Sequence, residues 1–459
     1  MPTTHSNPNL RCRPSVAPTR AATRSVAPKR AAQATLLLAL STVSVASPAH
    51  AQLTNASAAA TAMGNTGTAT ARGYDAVYWN PAGLAMPGTK RWSVALLPTS
   101  IGAGAGPISF ADLSNVGGQV VSDATKNAWL SRVSGDTPQK ISALGEASLL
   151  AANIGRVGLQ ASVSGGGNGV LTRDALEVLL YGNAGRTGNA ERYALNGSAV
   201  SGGALATVGV SYAHPIGIRF GSAKEQSAAF GVTVHSTTGL ALVRAQDNGT
   251  VLESQPVEVK VNFPAVSPKS GSRGSAGSGF GLDVGAAWEG GQWRAGVALR
   301  NALNTFKWDE SALAFRPISA RYTQAARTSD FDERAYASAP TALRNWVTNA
   351  TIPPTLAFGL AWTSSPRLQV SADAKQQFGE GMPWAVRRSI GTGVEYRPVG
   401  WLPLRGGVAA LDRGAQFGGG FGLEGRNVRL QWSVVSRTDS QYGPQTVNSV
   451  TFAFGALGR

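Results

Sequence analysis

The sequence predicts an all-β protein: a transmembrane antiparallel β-barrel of 14 strands, or 16 if one internal hairpin also spans. Three observations carry this prediction. From about Arg91 onward, apolar and small or polar residues alternate with a period of two over runs of roughly ten residues. The turns between these runs are short and long by turns, as expected for a barrel whose two rims differ. Aromatic residues gather beside the short turns, where a bilayer interface favours amphipathic rings.

The first 51 residues read as a signal peptide. Arg11, Arg13, Arg20, Arg24, Lys29 and Arg30 form a basic leader, an apolar run covers Ala34 to Ala46, and Ala49-His50-Ala51 fits the A-x-A cleavage pattern. The apolar run is too short and polar to span a bilayer. Residues 52–90 are then expected to form a plug, and 91–459 the barrel. Of the 41 Lys and Arg residues, 35 remain after cleavage, against 25 acidic ones. The single cysteine, Cys12, leaves with the leader, which excludes disulfides and thiolate chemistry from the mature chain.

The strands follow in order. Val157, Leu159, Ala161 and Val163 alternate with Gly158, Gln160 and Ser162. Ala206, Val208, Val210 and Tyr212 form a second such run, and Phe230, Val232 and Val234 a third. Phe280, Leu282, Val284, Ala286 and Trp288 oppose Gly281, Asp283, Gly285 and Ala287, and Trp293, Ala295, Val297 and Leu299 oppose Arg294, Gly296, Ala298 and Arg300. Glu289 to Gln292, Ser364 to Arg367 and Glu424 to Asn427 are tight hairpins. Asn301 to Pro354, Gln376 to Arg388 and Arg437 to Asn448 are long polar connections. Trp92, Tyr212, Trp288, Trp293, Trp362, Tyr396 and Trp401 all fall at the short-turn rim. Between Leu240 and Phe263, Asp247-Asn248-Gly249 turns either a membrane hairpin or a loop hairpin. Leu113 to Val133 and Leu171 to Tyr181 have helical spacing and fall by parity on the long-loop rim, outside the cell. The last strand, Val450 to Gly455, places its aromatics outward, but Ala456 to Arg459 departs from the terminal aromatic common in such barrels.

Several chemistries are disfavoured. The basic residues are scattered singly, without a nucleic-acid motif. Gly420 to Gly425 satisfies G-x-G-x-x-G but lies inside a strand with no helix after it. The mature chain holds two histidines, His214 and His235, without zinc spacing, so no metal is expected. A hydrolytic site would have to rest on His235 alone, and no enzyme activity is expected. What remains is charge on the inward face: Arg294, Arg300, Arg405 and Arg429 against Asp283, Asp373 and Glu395. Opposite charges on neighbouring strands tend to pair, and a basic excess favours anionic solutes.

The stretch before the first strand reads GNTGTATARGYDAVYWNPAGLA, Gly64 to Ala85. Pro81 fixes its own φ and drives Asn80 out of the helical region, while Gly83 permits backbone angles that other residues avoid. So polar and small-residue a segment packs only in a polar lumen. It resembles the N-terminal segment of the FadL-like long-chain fatty-acid transporters of the outer membrane, and the related PorV-like barrels of secretion systems. Asp75, Tyr78, Trp79, Asn80, Pro81, Ala82, Gly83 and Leu84 match directly. The resemblance implies a hatch inside the barrel, with Asp75, Tyr78, Trp79, Asn80, Pro81 and Gly83 as gating candidates. It implies hydrophobic ligands that pass the hatch and leave through the wall. The expected function is passive uptake of hydrophobic small molecules, anionic ones such as long-chain fatty acids included, without a cofactor. The expected partners are outer-membrane lipid, the ligand and the barrel assembly machinery. The alternative is a PorV-like barrel that holds secreted proteins at the surface.

Overall fold

Apolar side chains point out of this molecule and polar ones point in. Along Val428–Arg437, Leu430 and Trp432 are 39% and 38% exposed, whereas Gln431 and Ser433 are 2% and 0%. A water-soluble sheet protein buries the opposite set, so the apolar exterior here faces lipid. The computed structural model describes residues 57–455, apart from 183–184, 190–191, 218–224, 255–256, 272–273, 383–385 and 441–442. The expected signal peptide and the tail from Ala456 to Arg459 lie outside the described residues.

Fourteen strands form the wall: β1 Trp92–Gly106, β2 Gln139–Ile154, β3 Val157–Leu171, β4 Ala199–Ile216, β5 Gln226–Gln246, β6 Gly277–Gly290 and β7 Trp293–Asn304; then β8 Thr355–Ser365, β9 Leu368–Gln377, β10 Arg388–Val399, β11 Leu402–Leu411, β12 Gly414–Glu424, β13 Val428–Arg437 and β14 Gln445–Gly455. Each pairs antiparallel with its sequence neighbours, and β1 with β14 closes the sheet. Ten or more residues per strand suffice to cross a bilayer at a tilt. Among the described residues no helix is long and apolar enough to do so.

The 14-strand alternative holds. Asp247-Asn248-Gly249 is a loop turn, in which the Asp247 carboxylate accepts the N–H groups of Gly249 and Thr250 and Gly249 takes φ +88°. The strands after it, Val251–Ser254 and Val257–Asn262, join Arg192–Ala194, Ser319–Tyr322 and Arg327–Asp330 in a separate five-stranded sheet of the long-loop rim. The rim aromatics stand at the short turns as expected, with Trp293 beside Trp362 at 6.4 Å. The sorting of loops by length is less complete than the sequence suggests, because only Asp412 and Arg413 join β11 to β12 on the long-loop rim.

The two helical segments are present with revised bounds. The first is a pair, Phe110–Ser114 and Asp123–Ser131, started by a capping box of Ser109 with Asp112 and by Ser122. The second is Arg173–Tyr181, capped by Thr172. They share an apolar cluster of Ile108, Trp129, Leu130, Val133 and Leu176. A further helix, Thr341–Asn349, has no counterpart in the sequence reading. Its Leu343 and Val347 pack with Phe306, Phe315 and Tyr336 onto Leu205 and Leu242 of the wall. These clusters make the long-loop rim a folded cap.

The cap sharpens a topological prediction. An epitope tag between Phe331 and Asp332, both exposed, is expected to be tolerated and bound by antibody on intact cells. The same tag at Tyr336, buried in the cap core, should reduce the amount of folded barrel. A tag at Gly291 should be detected only after the membrane is breached. Labelling of Gly291 on intact cells, with none at Phe331, would reverse the orientation.

Candidate functional site

The segment from Ser57 to Gly88 lies inside the barrel, tied to inward positions of distant strands. The Ala58 N–H donates to Thr451 Oγ1 at 3.1 Å, Asn65 Nδ2 to Gln416 Oε1 at 3.1 Å, and the Gly67 and Thr68 N–H groups to Asp373 Oδ2 at 3.0 and 2.9 Å. Tyr74, Val77 and Leu84 pack against Ala95, Ala151, Ala213 and Ala453 of the wall. Inward alanines and glycines leave room for the plug that larger residues would fill.

Asn80 and Pro81 form the corner the sequence suggests. Asn80 is extended, φ −160° and ψ 107°, as the residue before proline should be, and it caps the helical turn Pro81–Ala85. Its fully buried side chain accepts the Ala82 N–H at 3.1 Å and donates to the carbonyls of Thr68 at 3.1 Å and Ala286 in β6 at 2.9 Å. One side chain thus joins plug to plug and plug to wall. Gly83 is needed for a different reason than expected. Its φ is not positive, but a Cβ there would lie 2.3 Å from the Ala71 carbonyl oxygen. The wall makes the same allowance at Gly285, where a Cβ would lie 2.1 Å from Asn80 Oδ1.

Trp79 is the centre of the plug, 1% exposed, with Lys375 Nζ 4.3 Å and Arg300 Cζ 5.8 Å from its ring centroid. Asp75 lies on the short-turn side, where burial pushes its carboxyl up to about 6 against the opposing pull of Arg429 and the Ser57 hydroxyl.

All seven inward charges picked from sequence do face the lumen, and most are paired. Glu395 and Arg405 are register partners on β10 and β11 and meet at 2.7 Å. Arg405 reaches Glu424 at 3.2 Å, Arg397 bridges Glu395 and Glu424 at 2.7 Å each, and Arg429 joins Glu424 at 3.2 Å. Arg294 pairs with Glu289 at 3.4 Å, and Glu289 also holds Arg72 of the plug at 3.0 Å. Asp283 accepts the Asn301 N–H at 2.7 Å and faces His235 at 3.3 Å. Asp373 binds the plug backbone. Arg300 alone meets a ring instead of a carboxylate. Lys375, Glu289, Arg397 and Glu424 escaped the sequence reading, although Lys375 shares the inward parity of Asp373.

Next to the plug, the pairing of β1 with β2 is interrupted. β1 pairs with β2 at Ala95–Ala151 and again at Thr99–Ala147 in unchanged register, leaving 96–98 and 148–150 unpaired between them. Leu97 has φ +46° and Pro98 has no N–H to donate. A one-residue shift on the β14 side and a bulge at Leu149 on the β3 side accompany the gap. Exposed Leu96, Leu97 and Leu149 surround it on the lipid side. From within, the Tyr78 hydroxyl bonds to the Ser148 hydroxyl and to the Leu150 carbonyl oxygen at 3.2 Å. Both bonds seat Tyr78 against the β2 side of the slot.

These features define a closed 14-stranded transmembrane barrel with an N-terminal segment in its lumen. The chain belongs to the family described as "F plasmid transfer operon, TraF, protein", whose model matches residues 77–374. No curated protein matches. Among solved structures, it is similar to the Pseudomonas putida toluene transporter TodX, with 14% identity, 87% of this chain and 98% of that one covered, and a TM-score of 0.44. It is also similar to the Ralstonia pickettii toluene transporter TbuX, with 15% identity, coverage of 86% and 97%, and a TM-score of 0.48. For a Pseudomonas aeruginosa FadL homologue the values are 12%, 89%, 99% and 0.45.

Proposed function

We propose that this protein is an outer-membrane barrel for the passive uptake of hydrophobic small molecules, which leave the lumen sideways through the wall. The slot between β1 and β2 carries the reading. A polar, plugged lumen gives an apolar solute no favourable route straight through, whereas an opening rimmed by leucines leads directly into lipid. Tyr78 occupies that opening, Asn80 and Pro81 anchor the corner two residues on, and Gly83 lets the plug chain fold back on itself. Asp75 and Trp79 hold the plug body. Movement of this one segment opens the path, and no cofactor is required.

The cysteine-free mature sequence makes the test clean. Leu97 and Leu149 lie opposite each other if the register continues across the gap. Leu97→Cys with Leu149→Cys, joined by a short cleavable thiol crosslinker, is expected to cut passage of a neutral hydrophobic probe into vesicles by about ten-fold or more, and cleavage should restore it. Unchanged passage through the crosslinked barrel would reject the lateral route.

A second reading is a PorV-like interaction barrel. The family description, which names a plasmid transfer operon, favours it, as does the five-stranded sheet on the outer rim with its exposed strand Arg327–Asp330. That reading expects no flux at all, sealed or open.

A further inference from the structure

At the short-turn rim, below the slot, neighbouring connections of the wall carry exposed cations beneath an apolar belt. Arg426 lies in the turn before β13, Arg91 just before β1, and Arg156 in the turn from β2 to β3. Backbone bonds tie these segments together: the Gly155 N–H donates to the Arg91 carbonyl oxygen at 2.6 Å, and the Gly455 N–H to that of Asn427 at 3.1 Å. Phe454 pairs with both Val428 and Val94, so Arg426 stands level with Trp92, which itself pairs with Ile154. Two strand spacings, about 10 Å, separate Arg426 from Trp92. Residues 90–92, 154–157 and 424–428 hold one carboxylate among them, Glu424. It is taken up by Arg397, Arg405 and Arg429. The charge is local to this arc, since the hairpin of residues 289–292 between β6 and β7 contains no cation.

The same arc turns apolar side chains outward. Trp92 and Ile154 are 48% and 69% exposed, and Val157 and Val428 are exposed beside them. Short turns of such barrels meet the periplasmic leaflet, where the lipid is glycerophospholipid. Guanidinium forks match phosphate oxygens with charge-assisted bonds. An indole ring settles at headgroup level, between the phosphate and the acyl chains. A free anion in solution would meet the cations alone, whereas a lipid meets both the cations and the belt.

We propose that Arg91, Arg156 and Arg426 hold the phosphate head of an anionic glycerophospholipid of the periplasmic leaflet, with Trp92 beside its glycerol and its acyl chains starting along Ile154, Val157 and Val428. The site lies outside the lumen and is independent of what the barrel transports.

Native mass spectrometry of the purified full-length barrel in detergent, offered equimolar phosphatidylglycerol and phosphatidylcholine with the same acyl chains, tests it. Retained phosphatidylglycerol is expected to exceed phosphatidylcholine about ten-fold or more, because each of the three cations favours the anionic head. Arg91→Gln with Arg156→Gln and Arg426→Gln should bring the two lipids within about two-fold of each other. Lys260→Gln with Arg327→Gln and Arg344→Gln removes the same charge from exposed positions of the long-loop rim and should leave the preference intact. If the first triple variant fails to fold, Arg426→Gln alone should lower the ratio at least about three-fold. Equal retention of the two lipids by the unaltered protein overturns the proposal. So does a preference that survives the substitutions at the short-turn rim, or one lost equally from both rims. Displacement of the lipid by equimolar inorganic phosphate would make this a site for a free anion and overturns it as well.

Discussion

Gly285→Val is expected to unseat the plug while leaving the barrel folded. The new Cβ would lie 2.1 Å from Asn80 Oδ1 and 3.0 Å from Pro81 Cδ, so the Asn80 side chain must leave its place. It takes with it the bonds to Ala82 N–H and to the Thr68 and Ala286 carbonyls. Each buried group left without a partner costs about 1–3 kcal/mol, and forcing extra carbon into a packed site about as much again. The sum is comparable to the ~5.5 kcal/mol that inverts a two-state population from 1:99 to 99:1. Leakage of a small hydrophilic solute should therefore rise at least about ten-fold, with membrane abundance and heat-modifiable gel migration unchanged. Asn80→Ala with Pro81→Ala should act in the same direction and more weakly, since it removes the bonds without the clash. Gly169→Val is the control, because a Cβ at that wall glycine meets nothing within 4 Å. If Gly285→Val and Gly169→Val leak equally little, the corner does not hold the plug.

Arg405→Met should destabilise the barrel itself. Its guanidinium is 3% exposed and joins Glu395 and Glu424, themselves 15% and 11% exposed. Removing one member of a buried ion pair costs about 3–5 kcal/mol, because the remaining charge stays desolvated. Arg397 and Arg429 still serve the two carboxylates, so the lower end, about 3 kcal/mol, is expected from reversible urea unfolding in lipid vesicles. Adding Glu395→Gln should recover part of this loss, a positive coupling that two independent sites would not show. A change within about 0.5 kcal/mol would mean that water in the lumen already screens the cluster.

The parts of this architecture that repeat were legible in the sequence, and the parts that happen once were not. The alternation of Phe280, Leu282 and Val284 with Gly281, Asp283 and Gly285 states directly which side chains meet lipid, because a strand has only two faces. The same parity placed Arg300, Asp373 and Glu395 in the lumen correctly. It could not say which carboxylate an arginine meets, since that depends on register, and Glu424 joins arginines from three strands through its position alone. The slot had a signal that went unread. Pro98 stands inside a strand, where a missing N–H is tolerated only at an edge or an irregularity, and a closed barrel has no edge. Gly285 looked like any small lumen residue, because the atom it makes room for belongs to a segment some 200 residues earlier. The helix Thr341–Asn349 was hidden by its polar setting within a long loop, and only the cap core reveals its buried face.

The plug's attachments also dictate an order of events during assembly. Ala58 is held by Thr451 of the last strand, Asn65 by Gln416, and Gly67 by Asp373, each more than 300 positions away along the chain. Contacts at such separations are won only after the intervening chain has been closed into place, and closing it is slow. The first segment to be made is therefore the last to find its seat. Until β14 is in place, Ala58 lacks its partner on the wall and the seat of the plug is incomplete.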